Sequence, residues 1–246
     1  MEPLGAVEKA LDVLFHLHAA AAPRGVTAIG QALGLPKSTA HRLLAALRRR
    51  DLVEREPGGQ YRPGVALVAL GLGVLAREPV VEVARPVLER EAAATGETFF
   101  LAAARGGRLI VLDKAEGTAF LRAAPAAGSE VPAHATAVGK LQLAFDPAAL
   151  RPQPLARFTP RTRVTPAALA REVARARRQG FAESREEWIP GLSVLAAPVF
   201  AGGRLAAALA VAAPAQRLEA LGRDAVAARV RAAAERVAAR LEGRAS

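Results

Sequence analysis

Residues 26–62, VTAIGQALGLPKSTAHRLLAALRRRDLVEREPGGQYR, decide the reading of this chain. They describe a helix, a tight turn, a basic helix and a short hairpin, in outline a winged helix-turn-helix. Thr27 is placed to cap a helix over 28–33 by accepting a bond from a first-turn amide. Gly34 and Leu35 make the turn, where glycine tolerates the left-handed backbone. Pro36 suits the first position of the next helix, where a missing N–H costs nothing. From Lys37 onward, Ala40, Leu43, Leu44 and Leu47 follow the i, i+3, i+4, i+7 spacing of an amphipathic helix.

The opposite face of that helix carries Ser38, Arg42, Ala45 and Arg49, with His41 beside it. No Asp or Glu falls within 35–50, whereas Lys37, Arg42, Arg48, Arg49 and Arg50 are cationic. A helix that enters a DNA groove needs cations for phosphates and short polar or forked side chains for base edges. Leu52-Val53-Glu54-Arg55 and Gln60-Tyr61-Arg62 flank Pro57-Gly58-Gly59, a hairpin signal. A merely solvated helix with a surface hairpin is the alternative. The turn chemistry, the stripe and the missing acids together favour the DNA-reading head.

At 246 residues, 52% of them apolar, the chain is long enough for one large or two smaller globular domains. It has no cysteine, which excludes disulfides, thiolate metal sites and a cysteine nucleophile. Neither a signal-peptide layout nor an apolar run of spanning length occurs, so a cytoplasmic location and no membrane partner are expected. The net charge of +11 invites a nucleic-acid partner, but residues 1–78 hold only ten Lys/Arg against seven Asp/Glu. The heaviest surplus lies at 151–178, outside the head. The acid-free face of one helix is therefore better evidence than total charge.

Elsewhere, residues 7–20 read as a first helix, with Val7, Ala10, Leu11, Leu14, Phe15 and Leu17 packing on the other two. Residues 65–77 (VALVALGLGVLAR) form a strongly apolar linker helix that needs cover, most economically from a partner subunit. A further helix spans 80–95. Short runs at 98–104, 108–114 and 119–124 read as antiparallel strands. A loop at 125–132 precedes a helix ending at Phe145, and 147–165 runs over the surface with one helical turn. Thr165-Pro166 opens a helix to Gln179, stopped by Gly180. After polar residues 183–187 come strands at 193–200 and 204–212, then one helix over 215–242. The expected fold class is α+β: a winged helix-turn-helix over 1–64, a linker helix over 65–78, and a second domain over 79–246.

Four segments, in order, carry a resemblance. Leu35-Pro36-Lys37-Ser38-Thr39-Ala40-His41-Arg42-Leu43-Leu44 is followed by the wing-end Gly-Gly-Gln-Tyr-Arg-Pro-Gly. Pro132-Ala133-His134-Ala135-Thr136-Ala137-Val138-Gly139-Lys140 fits the pattern P-x-H-x-T/S-A-x-G-K. Gly180-Phe181-Ala182 with Glu187-Trp188-Ile189-Pro190-Gly191, and then Ala196-Ala197-Pro198-Val199, complete the series. Over nearly its whole length the chain resembles the IclR family of bacterial transcriptional regulators. The resemblance implies a GAF-like, effector-binding second domain, and homodimers or dimers of dimers on palindromic double-stranded operators. It implies no cofactor.

For DNA, Lys37, Ser38, Thr39 and Arg42 are expected near base edges, Ser38 and Thr39 serving bases or phosphates equally well. Arg49, Arg55 and Arg62 are expected on phosphates, and His41 either on a phosphate or in packing. For the effector, the resemblance points to the amides of Thr136, Ala137 and Val138 at a helix start, a natural anion site. It also points to Ser184, Val194, Ala210 and Ala212 across the cavity. Relatives that bind small oxoacids carry an acid, a cysteine or serines at those last four places. Alanines there favour a larger aromatic or fatty acid, or else a collapsed pocket. The expected activity is that of a ligand-responsive repressor answering to a small organic acid or aromatic effector. His134 is expected to fix its loop and Lys140 to be a surface or interface charge, with Glu187 and Trp188 structural. No Ser/His/Asp, metal or phosphate-loop pattern supports an enzyme. A non-specific DNA binder using 151–178 is the remaining rival.

Overall fold

The computed structural model describes residues 5–75, 77–119 and 124–245. The chain divides into two compact units, Met1–Arg77 and Glu78–Ser246. The apolar linker helix thus goes with the head.

The first unit holds α1 (Ala6–Ala19), α2 (Val26–Ala32), α3 (Lys37–Arg48), β1 (Val53–Arg55), β2 (Tyr61–Pro63) and α4 (Val65–Leu75). Its core is Val13, Leu17, Ile29, Leu44, Leu47, Val53 and Tyr61. The turn forms as expected, with Gly34 at φ +62 and the Leu35 amide donating to Gly30 O at 2.8 Å. Three expectations need correction. Thr27 caps nothing: α2 starts earlier, at an N-cap of Gly25. The cause is tertiary, because Arg24 exchanges backbone bonds of 2.9 and 2.8 Å with Tyr61 of the wing and so sets where the helix begins. Pro36 is the N-cap of α3 rather than its first residue. On α1, Val7, Leu11 and Phe15 do not pack inward; they stand 73%, 47% and 66% exposed. The apolar stripe is wider than the partner helices can cover, and only the Val13–Leu17 side meets them.

The second unit holds α5 (Pro79–Thr95), β3 (Thr98–Arg105), β4 (Arg108–Ala115), α6 (Ala137–Phe145), α7 (Pro166–Gln179), β5 (Ala182–Arg185), β6 (Leu192–Ala201), β7 (Arg204–Pro214), α8 (Ala215–Ala220) and α9 (Arg223–Ala245). The five strands form one sheet, ordered β4-β3-β7-β6-β5, with every pairing antiparallel. One face, including Phe99, Leu101, Leu195, Leu209 and Val211, packs on α5 and α9. The other, including Phe100, Ala102, Val194, Ala196, Ala210 and Ala212, packs on α6. This is the α+β class that the sequence implies. Helices on both faces bury both sides of the sheet, which is why its strands read as apolar runs.

The polar stretch at 183–187 contains an edge strand, β5, which its charges conceal. The last helix is two, because Gly222 at φ +81 breaks it after α8. The expected strand at 119–124 falls on 120–123, outside the described residues. The helical turn at Pro147–Ala149 and the Thr165 cap, which accepts from the Ala168 amide at 3.3 Å, match expectation. Among the described residues no helix is long and apolar enough to cross a membrane.

Buried carboxylates fasten α5 to α9 and to the sheet. Glu91 on α5 accepts from Arg229 Nε and Arg236 Nη2 of α9, both at 2.6 Å. Asp113 on β4 accepts from Arg85 Nη2 at 2.6 Å, while its buried Oδ2 has no partner. Burial pushes the Asp113 carboxyl up, and Arg85 offsets only part of that. A raised carboxyl pKa in the folded state penalises folding at neutral pH, a penalty that vanishes below the unfolded aspartate pKa. Asp113→Asn is therefore expected to equal or exceed the parent in stability at pH 7. Its advantage should fade as pH falls below about 4 in urea melts; an advantage that grows with acidification would contradict this account.

Candidate functional site

α3 presents Lys37, Ser38, His41, Arg42 and Arg49 to solvent, with Thr39 half-buried. Among the described residues, no carboxylate pairs with Lys37, Arg42, Arg48, Arg49 or Arg50, whereas in the second unit Arg85, Arg105, Arg217, Arg229 and Arg236 are held by buried or half-buried carboxylates. A groove of about 600 Å³ runs between α1 and α3, lined by Lys9, Thr39, His41, Arg42 and Arg49 among others. Lys9 is a cation that the sequence pattern did not single out; only the α1–α3 packing brings it beside Arg42. His41 is exposed within this unit.

In the wing, the Arg55 guanidinium lies 5.9 Å from the Tyr61 ring centroid. Arg62 donates to Glu54 Oε2 through Nε at 3.1 Å and Nη2 at 2.8 Å. Glu54 Oε1 also accepts from the Val65 amide at 3.1 Å, tying the wing to the start of α4. Arg62 is thus engaged internally, unlike the cations of α3.

The seven residues expected around an effector are all buried, and the sheet gathers four of them. Ser184, Val194, Ala212 and Thr98 stand in one cross-strand row, and Ala182, Ala196, Ala210 and Phe100 in the next. Over these rows lies the start of α6. Thr136 is its N-cap: Oγ1 accepts from the Gly139 amide at 3.2 Å and donates to Pro132 O at 2.8 Å. The Lys140 amide closes the first helical bond, to Thr136 O. The Ala137 and Val138 amides are left without a partner among the described residues, as the geometry of a helix start requires. Gly139 must be glycine, because a Cβ there would lie 2.1 Å from Ala133 O. The Ser184 hydroxyl donates to Ala135 O at 2.9 Å, so neither side-chain hydroxyl keeps a donor for a ligand. Phe100 and Trp188 join the same apolar cluster; Phe100 was unassigned from sequence, and its strand parity with Ala102 is the signal that marks its face.

His134 does hold its loop: Nε2 lies 2.8 Å from Ala156 O, and the ring stacks on Phe158 at 5.6 Å. Lys140, expected at the surface, is instead 1% exposed. Its ammonium donates to Glu187 Oε1 at 2.6 Å and to Glu183 O at 2.8 Å, with Glu172 Oε2 at 3.5 Å. The reason is positional: Lys140 lies one turn into α6, on the side that faces β5 and α7. Among the described residues no group of three His, Asp or Glu is placed to hold a metal ion.

A winged helix-turn-helix in one unit and, in the other, an α+β domain whose apolar sheet face lies under a helix start make the architecture of a DNA-binding regulator with a second domain. Comparison with known proteins agrees. Residues 72–239 match the family described as bacterial transcriptional regulator IclR C-terminal, and 6–57 match the IclR helix-turn-helix domain. The chain belongs to the IclR family of DNA-binding transcriptional regulators, which are not enzymes. It is 34% identical over 220 residues to the HTH-type transcriptional regulator BhcR of Paracoccus denitrificans, covering 87% of this chain and 78% of that one. It is 30% identical over 227 residues to the HTH-type transcriptional repressor AllR of Salmonella typhi, covering 87% and 81%. Among solved structures, an IclR homolog from Microbacterium hydrocarbonoxydans complexed with 4-hydroxybenzoate superposes with a TM-score of 0.84 at 25% identity, covering 98% of this chain and 100% of that one. The Thermotoga maritima IclR gives 0.80 at 26% identity, covering 96% and 98%.

The Lys140–Glu187 pair has a clear energetic signature. Lys140→Met should cost about 3 kcal/mol in urea denaturation, because it strands a buried carboxylate, while adding Glu187→Leu should recover much of that loss. A single variant that behaves as a neutral surface change would refute the burial.

Proposed function

We propose that the protein is a cytoplasmic repressor that binds a palindromic operator as a homodimer or dimer of dimers and answers to an aromatic or other small organic acid. The observation that carries the DNA half is the exposed face of α3, whose cations have no carboxylate partner among the described residues. Lys37, Ser38, Thr39 and Arg42 sit at the start of that helix and read base edges, with Arg42 forking onto a guanine. Arg49, Arg55 and His41 take phosphates, joined by Lys9; Arg62 does so only by leaving Glu54. The dimer half rests on the exposed Val7, Leu11 and Phe15 of α1 and on Val65, Val68, Leu70, Leu72 and Val74 of α4, apolar surface that water does not favour. The sign of regulation is taken from the repressors among its relatives.

For the effector, two free amides at the start of α6 suit one carboxylate, and the helix dipole favours it. Apart from the Thr98 hydroxyl, the rows present alanine, valine and Phe100, so the rest of the ligand is mostly apolar. An aromatic monocarboxylate meets both demands, and the 4-hydroxybenzoate complex of a relative is in keeping with that chemistry. Thr136, Ala137, Val138, Ser184, Val194, Ala210 and Ala212 would form the site.

Selection of duplexes from a random pool should enrich one inverted repeat. On that site Arg42→Ala should weaken specific binding about 10- to 100-fold with the oligomer intact; unchanged affinity would sink the assignment. Val68→Glu with Leu72→Glu should yield monomers that no longer bind the operator. 4-Hydroxybenzoate should change the fluorescence of Trp188, the single tryptophan, saturably, and Ala212→Phe should abolish that response while operator binding persists. Absence of any response to a panel of aromatic acids would remove the effector reading alone.

A further inference from the structure

Beyond the operator and effector sites, a cleft of about 330 Å³ opens on the outer side of β5, between α7 and the start of α9. Five cations line it: Lys140, Arg163, Arg175, Arg185 and Arg223, against three carboxylates, Glu172, Glu183 and Glu187. The lining itself carries two more cations than carboxylates, but Glu219 and Asp224 beside it pair with Arg185 and Arg223, which leaves Arg163 as the cation open to an occupant, in a volume that fits a small metabolite. Two of its charged groups are built in, with Lys140 at 1% and Glu187 at 4% exposure. Arg175 pairs with Glu172, Arg223 Nε with Glu183 Oε2 at 2.7 Å, and Arg185 with Glu219 outside the cleft. Arg163 makes no ion pair among the described residues, and acts on Glu172 only through space. Burial pushes the Glu172 carboxyl up, yet Lys140, Arg175 and Arg163 together hold it below the ordinary range, a sign of net positive potential in the cleft.

We propose that this cleft is a second anion site, taking a small dianion such as a dicarboxylate or a phosphate monoester. Guanidinium forks match carboxylate and phosphate oxygens, and Arg163 and Arg175, both acting on Glu172, offer two forks, one for each charged group of a dianion. The cleft lies at the β5 edge, and of the residues assigned to the effector site, Thr136, Ala137, Val138, Ser184, Val194, Ala210 and Ala212, none lines it. Arg175 and Gln179 come from α7, Arg185 from β5 and Arg223 from α9, so an occupant would cross-link three elements.

Calorimetric titration of the full chain with inorganic phosphate and with malonate, at constant ionic strength, tests this. One saturable site per chain is expected, with a Kd on the order of 1 mM or tighter. Arg163→Ala with Arg175→Ala should weaken it about tenfold or more. Arg163→Glu, a change at an exposed unpaired side chain that leaves the fold alone, should do the same. Arg171→Ala with Arg178→Ala, on α7 outside the cleft, should leave it unchanged. The dianions should also raise Tm in the parent and not in Arg163→Glu. No saturable binding, equal loss in the Arg171/Arg178 control, or equal affinity for acetate would overturn the proposal. Since none of these readouts involves DNA or Trp188, failure here leaves the regulator assignment untouched.

Discussion

The second domain depends on one buried ammonium. Lys140 carries its charge from the first turn of α6 into the space between β5 and α7, where Glu187 and the Glu183 carbonyl receive it at 2.6 and 2.8 Å. A charge removed from water must be paired and hydrogen-bonded, so this contact dictates where α6 can lie against the sheet edge. It also covers part of β5, one of the two edge strands of the sheet. The neighbouring Gly139 lets the backbone of Ala133 approach, and Thr136 caps the helix between them. The start of α6, with its two spare amides, is held over the alanine rows by these three contacts rather than by any property of the helix itself.

Arginines beside buried carboxylates and arginines on the recognition helix do opposite jobs. In the second unit, Arg217, Arg229 and Arg236 neutralise the buried Glu97 and Glu91, and so serve packing. In the head, the recognition helix keeps its cations in water and, among the described residues, without a carboxylate partner. Total charge blends the two uses, which is why +11 says little about DNA while the local pattern of α3 says much. An unpaired, solvated cation keeps its Coulomb energy for a phosphate; one already held by a glutamate has to give up that bond first, as Arg62 would.

Much of the fold was legible because strong local rules happened to coincide. Gly34 and Gly180 adopt the left-handed backbone at the turn and the helix stop where they were expected. Thr165 caps α7, and the hairpin around 57–59 forms. The misplacements have a common cause. Thr27 had the right chemistry for a cap, but the Arg24–Tyr61 backbone pair, 37 positions apart in sequence, starts the helix earlier. β5 carries Glu183 and Arg185 because one of its faces lines a solvated cleft, and so it lacks an apolar signature. Lys140 looked like a surface charge because only its distant partners make burial tolerable.

The sequence by itself determined the elements whose signals are local: the recognition helix with its acid-free face, the wing, the apolar linker helix and the strands buried on both sides. Periodicity, capping and turn chemistry act over a few residues, so they can be read one segment at a time. Tertiary structure alone decided which side chains meet. It aligned Ser184, Val194, Ala212 and Thr98 in one row, set Lys9 beside Arg42, and buried Lys140 against Glu187. Such juxtapositions depend on strand register and helix packing between segments far apart in the chain, for which no single stretch of sequence carries the information.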